Sequence, residues 1–417
     1  MDVSLLSILR CPFCGTRLSL IDNQALRRDG DAIESGVLGC ECCAFPIVAG
    51  IPVMIANDRV RTAMHQLEAG DGEAALHTLL ELEGERINAF RAFVTRPTGT
   101  YREALKILSL DAEAEYFVYR FSDPTFRVAR AVVQAVGPLM ARQGRYIDLC
   151  GGSGHLARSM VSDEAPVLAD VYFWKLWLAK HTVGPHQDAQ FVAPHCEPVC
   201  CDANNPLPFA RNTFSLVALS DAFPYIWHKR LVMDEMMRLA GPDGVIVMPH
   251  LHSALGWNYT AGMPLTPRAY HDLLEPHRPR LFRDSALLDD VLRGEIDLTS
   301  DEQPESLAGE PALVIVATKH DEVFRRVQLI EAAVPPDKAI VNPLYRIELR
   351  GDVSVLTLTF PTPDYEDEFA AAKRYLPESV IVPGDVSRGI DAAALGVERY
   401  DELCRRMVFI SAPSRYA

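Results

Sequence analysis

The chain has 417 residues, with 56 acidic side chains against 41 basic ones and a formal charge of −15. That balance excludes a protein that grips nucleic acid through its phosphate backbone alone, because such affinity comes from Lys and Arg. No run approaches the roughly 18 apolar residues of a membrane-spanning helix, and the opening MDVSLLSILRCPFC is too short in apolar residues for a secretory leader. A soluble, cytoplasmic protein with no membrane partner is the expectation, long enough for two or three domains.

Residues 1–58 carry five of the ten cysteines and read as short strands and turns. CPFC places Cys11 and Cys14 at C-x-x-C spacing; CECC does the same for Cys40 and Cys43, with Cys42 between them. Two such pairs separated by a loop are the form of a tetrahedral four-sulfur zinc site. In a reducing compartment paired cysteines point to metal before disulfide. Cys11, Cys14, Cys40 and Cys43 are the expected ligands, with Cys42 as the alternative to Cys43. Four sulfurs leave no open position, so the zinc is structural. The stretch LLSILRCPFCGTRLSL … GCECCAFPIVAGIPVMI resembles the small zinc-ribbon proteins that include the activator subunit of several tRNA and protein methyltransferases. The likeness rests on the Leu-Leu run before the first pair and the Pro-Ile-x-x-Gly-Ile-Pro-Val ending.

Residues 59–135 read as a helical segment, with apolar residues at helical spacing and a Gly-Asp-Gly break. Residues 136–320 alternate strand-like and helix-like patterns, the signature of an α/β parallel sheet. Residues 321–417 read as a small α+β region without an assigned role. In it YRIELRGDVSVLTLTF predicts two strands around an Arg-Gly-Asp turn, and PDYEDEFAAAKRYL predicts a helix.

In the α/β region, RYIDLCGGSGHLARSM reads as a strand, a glycine turn and the opening of a helix. GSGHLA fits G-x-G-x-x-A, a dinucleotide fingerprint. It also resembles motif I of class I S-adenosylmethionine-dependent methyltransferases, and the neighbouring segments favour that reading. Asp148 lies inside the first strand. APVLADVYF gives a second strand ending at Asp170, where an acid reaches ribose hydroxyls. PVCCDANNPLPFARNTFSLVALSDAFPYI gives a third strand ending at Asp202 and a fourth from Phe214 to Leu219, followed by Ser220. HKRLVMDEMMRLAGPDGVIVMPH gives a helix, a turn and a fifth strand. The resemblance implies a Rossmann-like class I core that binds S-adenosylmethionine. In it Asp148, Gly151, Gly152, Gly154, Asp170, Asp202 and Ser220 lie at the cofactor, with the turn and the helix N-terminus facing its amino-acid end. Cys150 stands where the family carries its first glycine, and is expected to keep ordinary backbone angles. A dinucleotide binder and a cofactor-free scaffold are the competing readings.

MPHLHSALGWN follows the fifth strand, and ligands of open α/β sheets sit beyond strand carboxyl ends. His250 and His252 are therefore the candidate bases, His250 ranking first as nearer the strand end. Asp221, Tyr225 and His228 are candidate pocket residues, although Tyr225 and Trp227 suit core packing equally. FWKLWLAK reads as core, and Cys196, Cys200 and Cys201 as buried thiols. The expected reaction is methyl transfer to O, N or C of a small-molecule or natural-product acceptor. The alternatives are an RNA or protein acceptor presented by the ribbon, and a non-catalytic scaffold. The oligomeric state is left open.

Overall fold

The structure, a computed structural model, describes residues 1–96, 98–108, 113–140, 144–160, 162–183, 196–329, 339–390, 392–410, 412 and 415–416. Its centre is a seven-stranded sheet: β1 (Arg145–Leu149), β2 (Val167–Asp170), β3 (Glu197–Cys200), β4 (Phe214–Leu219), β5 (Val245–His252), β6 (Pro279–Arg283) and β7 (Ala312–Ala317). The strand order is β3-β2-β1-β4-β5-β7-β6. β1 to β5 pair in parallel, and β7 runs antiparallel to both β5 and β6. The segment PALVIVATK carries β7, the last strand of this sheet in chain order. β1, β2, β4 and β7 are buried along their whole length, as expected of apolar runs covered on both faces. The chain reverses its direction of winding between β1 and β4, which opens a crevice at the carboxyl ends of those strands.

The helix Pro124–Met140 packs on the sheet, and the Tyr146 hydroxyl of β1 donates to the Gly137 carbonyl. The boundary expected between residues 135 and 136 falls inside this helix. Val128, Val132 and Val136, one helical turn apart, are all fully buried, so the helix is tied to the α/β unit by its apolar face.

The N-terminal strands Ser19–Ile21, Ala32–Gly39, Ala44–Val48 and Ile51–Pro52 form an antiparallel meander, with Arg27–Asp29 paired to Ala32–Gly39. This small sheet docks on β3, the edge of the large one. Val53 bridges Cys200 in parallel, the Met54 amide donates to the Cys200 carbonyl (2.7 Å), and the Arg10 amide donates to the Pro208 carbonyl (2.9 Å). The contact covers an edge that would otherwise present unpaired backbone groups.

After the large sheet, Tyr345–Arg350, Val353–Leu358 and Ser379–Pro383 make a three-stranded antiparallel sheet. The Arg-Gly-Asp turn joins the first two, with Gly351 at φ +65°. PDYEDEFAAAKRYL is not one helix: Pro363–Glu368 is helical, and a 3₁₀ turn covers Ala370–Arg374. Phe369 leaves the helical path between them and packs on Tyr365, ring centroids 4.4 Å apart. Among the described residues no helix is long and apolar enough to cross a membrane.

Ile51 is fully buried in an apolar cluster that also holds Leu168 of β2 and Cys200 of β3. Ile51→Ala is expected to lower stability by about 2–5 kcal/mol. Denaturant midpoints of the full-length variant and parent measure it, and an unchanged midpoint would show that the docked edge carries no stability.

Candidate functional site

A cavity of about 630 Å³ opens at the carboxyl ends of the parallel strands. The loop after β1 contributes Cys150, Gly151 and Gly152, β2 contributes Asp170, and the loop after β3 contributes Asp202. Ser220 and Asp221 follow β4, and His252 ends β5. Asp148, Gly151, Gly152, Asp170, Asp202 and Ser220 are thus brought to one cavity. Gly154 is not among the lining residues. It turns the chain at φ +81°, and a Cβ there would meet Ala179 at 3.3 Å and Leu168 at 3.4 Å.

The glycine turn is tighter than its sequence reading. Gly151 has no room for a side chain, because a Cβ would lie 2.4 Å from Asp148 Oδ2. Gly152 has φ +58°. Cys150 departs from expectation: it holds φ +56°, in the left-handed region where glycine is at ease and a side chain costs about 1–3 kcal/mol. No helix opens after the turn, only the 3₁₀ turn Ala157–Ser159. Positive φ at Cys150, Gly152 and Gly154 breaks the helical path, so the anion-binding help expected of a helix N-terminus is absent here. The turn's own amides at Gly151, Gly152 and Gly154 are engaged by the Ala169 carbonyl (3.2 Å), Asp170 Oδ2 (2.9 Å) and the Gly151 carbonyl (3.0 Å).

Two acids flank this turn in different states. Asp148 is fully buried, and neither carboxylate oxygen makes a well-formed hydrogen bond. Burial pushes its pKa up to about 7, the nearby Asp170 charge adding to the shift and the Ala157 amide opposing it. Asp170 instead accepts hydrogen bonds, from the Gly152 amide at Oδ2 and the Tyr172 amide at Oδ1, each 2.9 Å. Asp202 accepts from the Asn204 amide (2.8 Å) and the Asn205 side chain (3.1 Å). A buried carboxylate whose oxygens make no well-formed hydrogen bond, beside a turn where Gly151 has no room for a side chain, fits a ligand that carries its own donors.

The other end of the cavity is built around Asp221. Its Oδ1 accepts from His252 Nε2 (3.1 Å), and its Oδ2 accepts from the Tyr116 hydroxyl (3.2 Å) and Arg120 Nη1 (3.1 Å). Burial works against ionising Asp221, but the His252 hydrogen bond and the charges of Arg120 and the histidines hold it well below the usual carboxylate range. The order of the two histidines is reversed from expectation. β5 runs through His252, its register shifts between Met248 and Leu251, and His250 takes φ +52°. The bulge sends His252 to the cavity wall and leaves His250 behind it, with Nδ1 3.4 Å from Asp284 Oδ2. Burial disfavours a charged His250, yet the Asp284 and Asp221 carboxylates outweigh it and raise its pKa.

Tyr225 lines the cavity, whereas His228 is turned to the Asn204 carbonyl (2.7 Å) outside it. Tyr225 and Trp227 are not core residues, being 57% and 76% exposed. Sequence reading missed Tyr116, Phe117 and Arg120 from the helical segment, Lys175 within FWKLWLAK, and Glu368 from the C-terminal region, all of which line the cavity. Lys175 was hidden among aromatics because its ammonium lies over the rings of Tyr172 (4.3 Å) and Phe117 (4.8 Å). Only the Tyr-x-x-x-Arg spacing of Tyr116 and Arg120, which puts both on one helix face, hinted at the rest.

The N-terminal cysteines converge as a group. Sγ atoms of Cys11, Cys14, Cys40 and Cys42 lie within 4.8 Å of one another. Cys42 takes the place expected for Cys43, whose sulfur sits 3.4 Å from that of Cys42. The Cys40 amide donates to the Cys43 carbonyl (2.9 Å), closing a turn that swings the Cys42 sulfur to the group.

Residues 147–248 match a family described as a methyltransferase domain, and the sheet order is that of its class I fold. The α/β unit has the Rossmann-like core of the class I methyltransferase fold. Among solved structures, the chain is similar to a SAM-dependent methyltransferase from Thermotoga maritima (14% identity, 52% of this chain and 99% of that one, TM-score 0.33). It is also similar to a chain of the Haloferax volcanii complex between the Trm112 methyltransferase activator and a methyltransferase (14%, 52% and 96%, 0.34). A third is Haemonchus contortus phosphoethanolamine N-methyltransferase 2, solved with phosphomonomethylethanolamine and S-adenosylhomocysteine (15%, 55% and 60%, 0.37). No curated protein matches the chain by sequence.

In this α/β unit, Asp148 keeps its proton to higher pH in the folded chain than in the unfolded one. The stability linked to it is therefore full below its ordinary pKa of 3.8 and is lost as pH rises to about 7. Asp148→Asn removes that loss. The ligand-free variant is expected to melt above the parent at about pH 8, the gap closing toward about pH 4. Parallel melts that stay equally spaced across this range would refute the assignment.

Proposed function

We propose that the protein transfers a methyl group from S-adenosylmethionine to a heteroatom of a small acceptor held at the Asp221–His252 end of the cavity. The observation that carries this reading is the continuity of one cavity, walled from the turn after β1 to His252 and covered by Tyr116, Phe117, Arg120 and Glu368. When bound, S-adenosylmethionine supplies a methyl group activated on a sulfonium. Asp170 and Asp202 would hold its nucleoside, and the turn after β1 with Asp148 its amino-acid end. The enclosed walls orient the acceptor, which is the larger part of what such a reaction asks of a protein. His252 takes up the proton that the acceptor loses, with Asp221 holding its ring in place.

Zinc on the N-terminal cysteines belongs to the same reading. The Sγ–Sγ separations of 3.8 Å (Cys11–Cys42), 3.7 Å (Cys14–Cys40) and 3.5 Å (Cys40–Cys42) approach the edge of about 3.8 Å set by four Zn–S bonds of about 2.3 Å. Among the described residues the cysteine-bearing segment contributes nothing to the cavity wall, which supports a bracing role at the β3 edge over presentation of a macromolecular acceptor.

Calorimetric titration with S-adenosylmethionine tests the proposal. The parent is expected to bind, and Asp170→Ala to lose about 10–100-fold in affinity, as for a lost pair of charge-assisted hydrogen bonds at about 1.5–3 kcal/mol. His252→Gln is expected to keep that affinity but lose about 10²–10⁴ in methyl-transfer rate. A folded parent that gives neither heat nor thermal stabilisation with S-adenosylmethionine would sink the reading.

A further inference from the structure

The wall where Asp221 meets His252 holds more than a hydrogen-bonded pair. Asp221, His250 and His252 each offer one ligating atom, and these atoms lie within 4.8 Å of one another. Among the described residues the only other such convergence is the N-terminal sulfur group. Two residues 250 and 252 of one strand reach the same carboxylate because the bulge in β5 re-aims them, their rings 4.9 Å apart at 82°. Asp221 and His250 both sit at positive φ, 58° and 52°. Strain of this kind persists only where the surroundings over-determine it, and it gathers at ligand sites.

The groups behind the three residues are arranged as supports. His250 turns Nδ1 to Asp284 Oδ2 at 3.4 Å, which leaves Nε2 for a ligand; a carboxylate behind the ring is the usual way a metal-binding histidine is oriented. Asp221 has Oδ2 engaged by Tyr116 and Arg120, while Oδ1 stands 3.1 Å from His252 Nε2. Neighbouring ligands about 2.1 Å from one cation are separated by about 3.0–3.4 Å. Asp123 and Asp221 share the guanidinium of Arg120, and Asp284 faces His250.

We propose that Asp221, His250 and His252 bind a divalent first-row transition cation at the acceptor end of the cavity. Two imidazoles and one carboxylate favour such an ion over magnesium or calcium, which prefer all-oxygen sites. Three protein ligands leave a position open, and Asp221 and His252 both line the cavity. The open position therefore faces the acceptor. A cation there binds the acceptor's oxygen or nitrogen and lowers its pKa, so that the acceptor's proton passes to water before the methyl group arrives; the proton now between His252 and Asp221 is released to solvent when the cation binds, and His252 then serves as a ligand in place of the base. This makes the acceptor a metal-binding hydroxyl or amine rather than a carbon nucleophile. That role rests on the methyl-transfer reading, whereas binding of the cation does not.

The test uses the full-length protein with zinc on its cysteines, titrated with Co²⁺ and read by absorption and by elemental analysis. A second equivalent is expected, with weak visible bands and without the intense charge-transfer bands of thiolate-bound cobalt. His250→Gln and His252→Gln are expected to abolish that equivalent, and Asp284→Asn to weaken it about 10–100-fold. S-adenosylmethionine binding, measured on each variant, shows that the fold persists. Uptake of one equivalent by a parent that binds S-adenosylmethionine would overturn the cation site and leave the methyltransferase reading intact, and so would a second equivalent indifferent to both histidine variants. A second equivalent lost in those variants, in a parent that does not bind S-adenosylmethionine, would uphold the site and overturn its role in methyl transfer.

Discussion

Arg120 joins the roof of the cavity to its floor. Its guanidinium lies between Asp123, beside it in the chain, and Asp221, beyond β4, and it also donates to the Tyr116 and Thr125 hydroxyls. Burial alone would disfavour the charge, but Asp123, Tyr116 and Asp221 outweigh it and hold Arg120 protonated. Removing one member of a buried pair of this kind typically costs about 3–5 kcal/mol, because the other is left uncompensated. The orientation of Asp221, and through it the orientation of His252, follows from this one ion pair.

Distant parts of the chain meet over the same spot. The Tyr375 hydroxyl donates to the Ser122 carbonyl (2.7 Å), and Arg374 pairs with Asp289. The first contact fastens the C-terminal region to the segment that carries Arg120 and the second to the helix Asp284–Arg293, and Glu368 of the same region lies on the cavity wall. Burial raises the pKa of Glu368, and the Asp221 and Asp123 charges raise it further. At the opposite side of the sheet the cysteine-rich meander covers β3. The α/β unit is thus braced at one edge and capped above its crevice by segments that lie outside it in sequence.

Backbone strain is concentrated where the cavity needs it. Cys150, Asp221 and His250 are three of the eight non-glycine residues with positive φ among those described. Cys150 shapes the turn after β1, while Asp221 and His250 shape the wall where β4 and β5 end. A standing cost of about 1–3 kcal/mol at each is consistent with positions kept for binding geometry rather than for stability.

Some of this was legible from residues alone. C-x-x-C spacing, the run of strand, acid and glycine turn from Tyr146 to Gly154, and the acids closing β2 and β3 are local features. Each is written within a window of a few residues, where periodicity and turn chemistry act directly. They led to the class I core, the cysteine group and six of the cavity-lining residues. Other features needed the folded chain. The bulge that puts His252 rather than His250 on the cavity wall arises from register between β5 and β7. Membership of Cys42 rather than Cys43 in the sulfur group arises from how one turn closes. Arg120 and Asp221 are 101 positions apart, and Tyr375 and Ser122 are 253. Pairings at such separations leave no periodic trace in either partner's neighbourhood, so only the tertiary structure decided which side chains meet on the cavity wall.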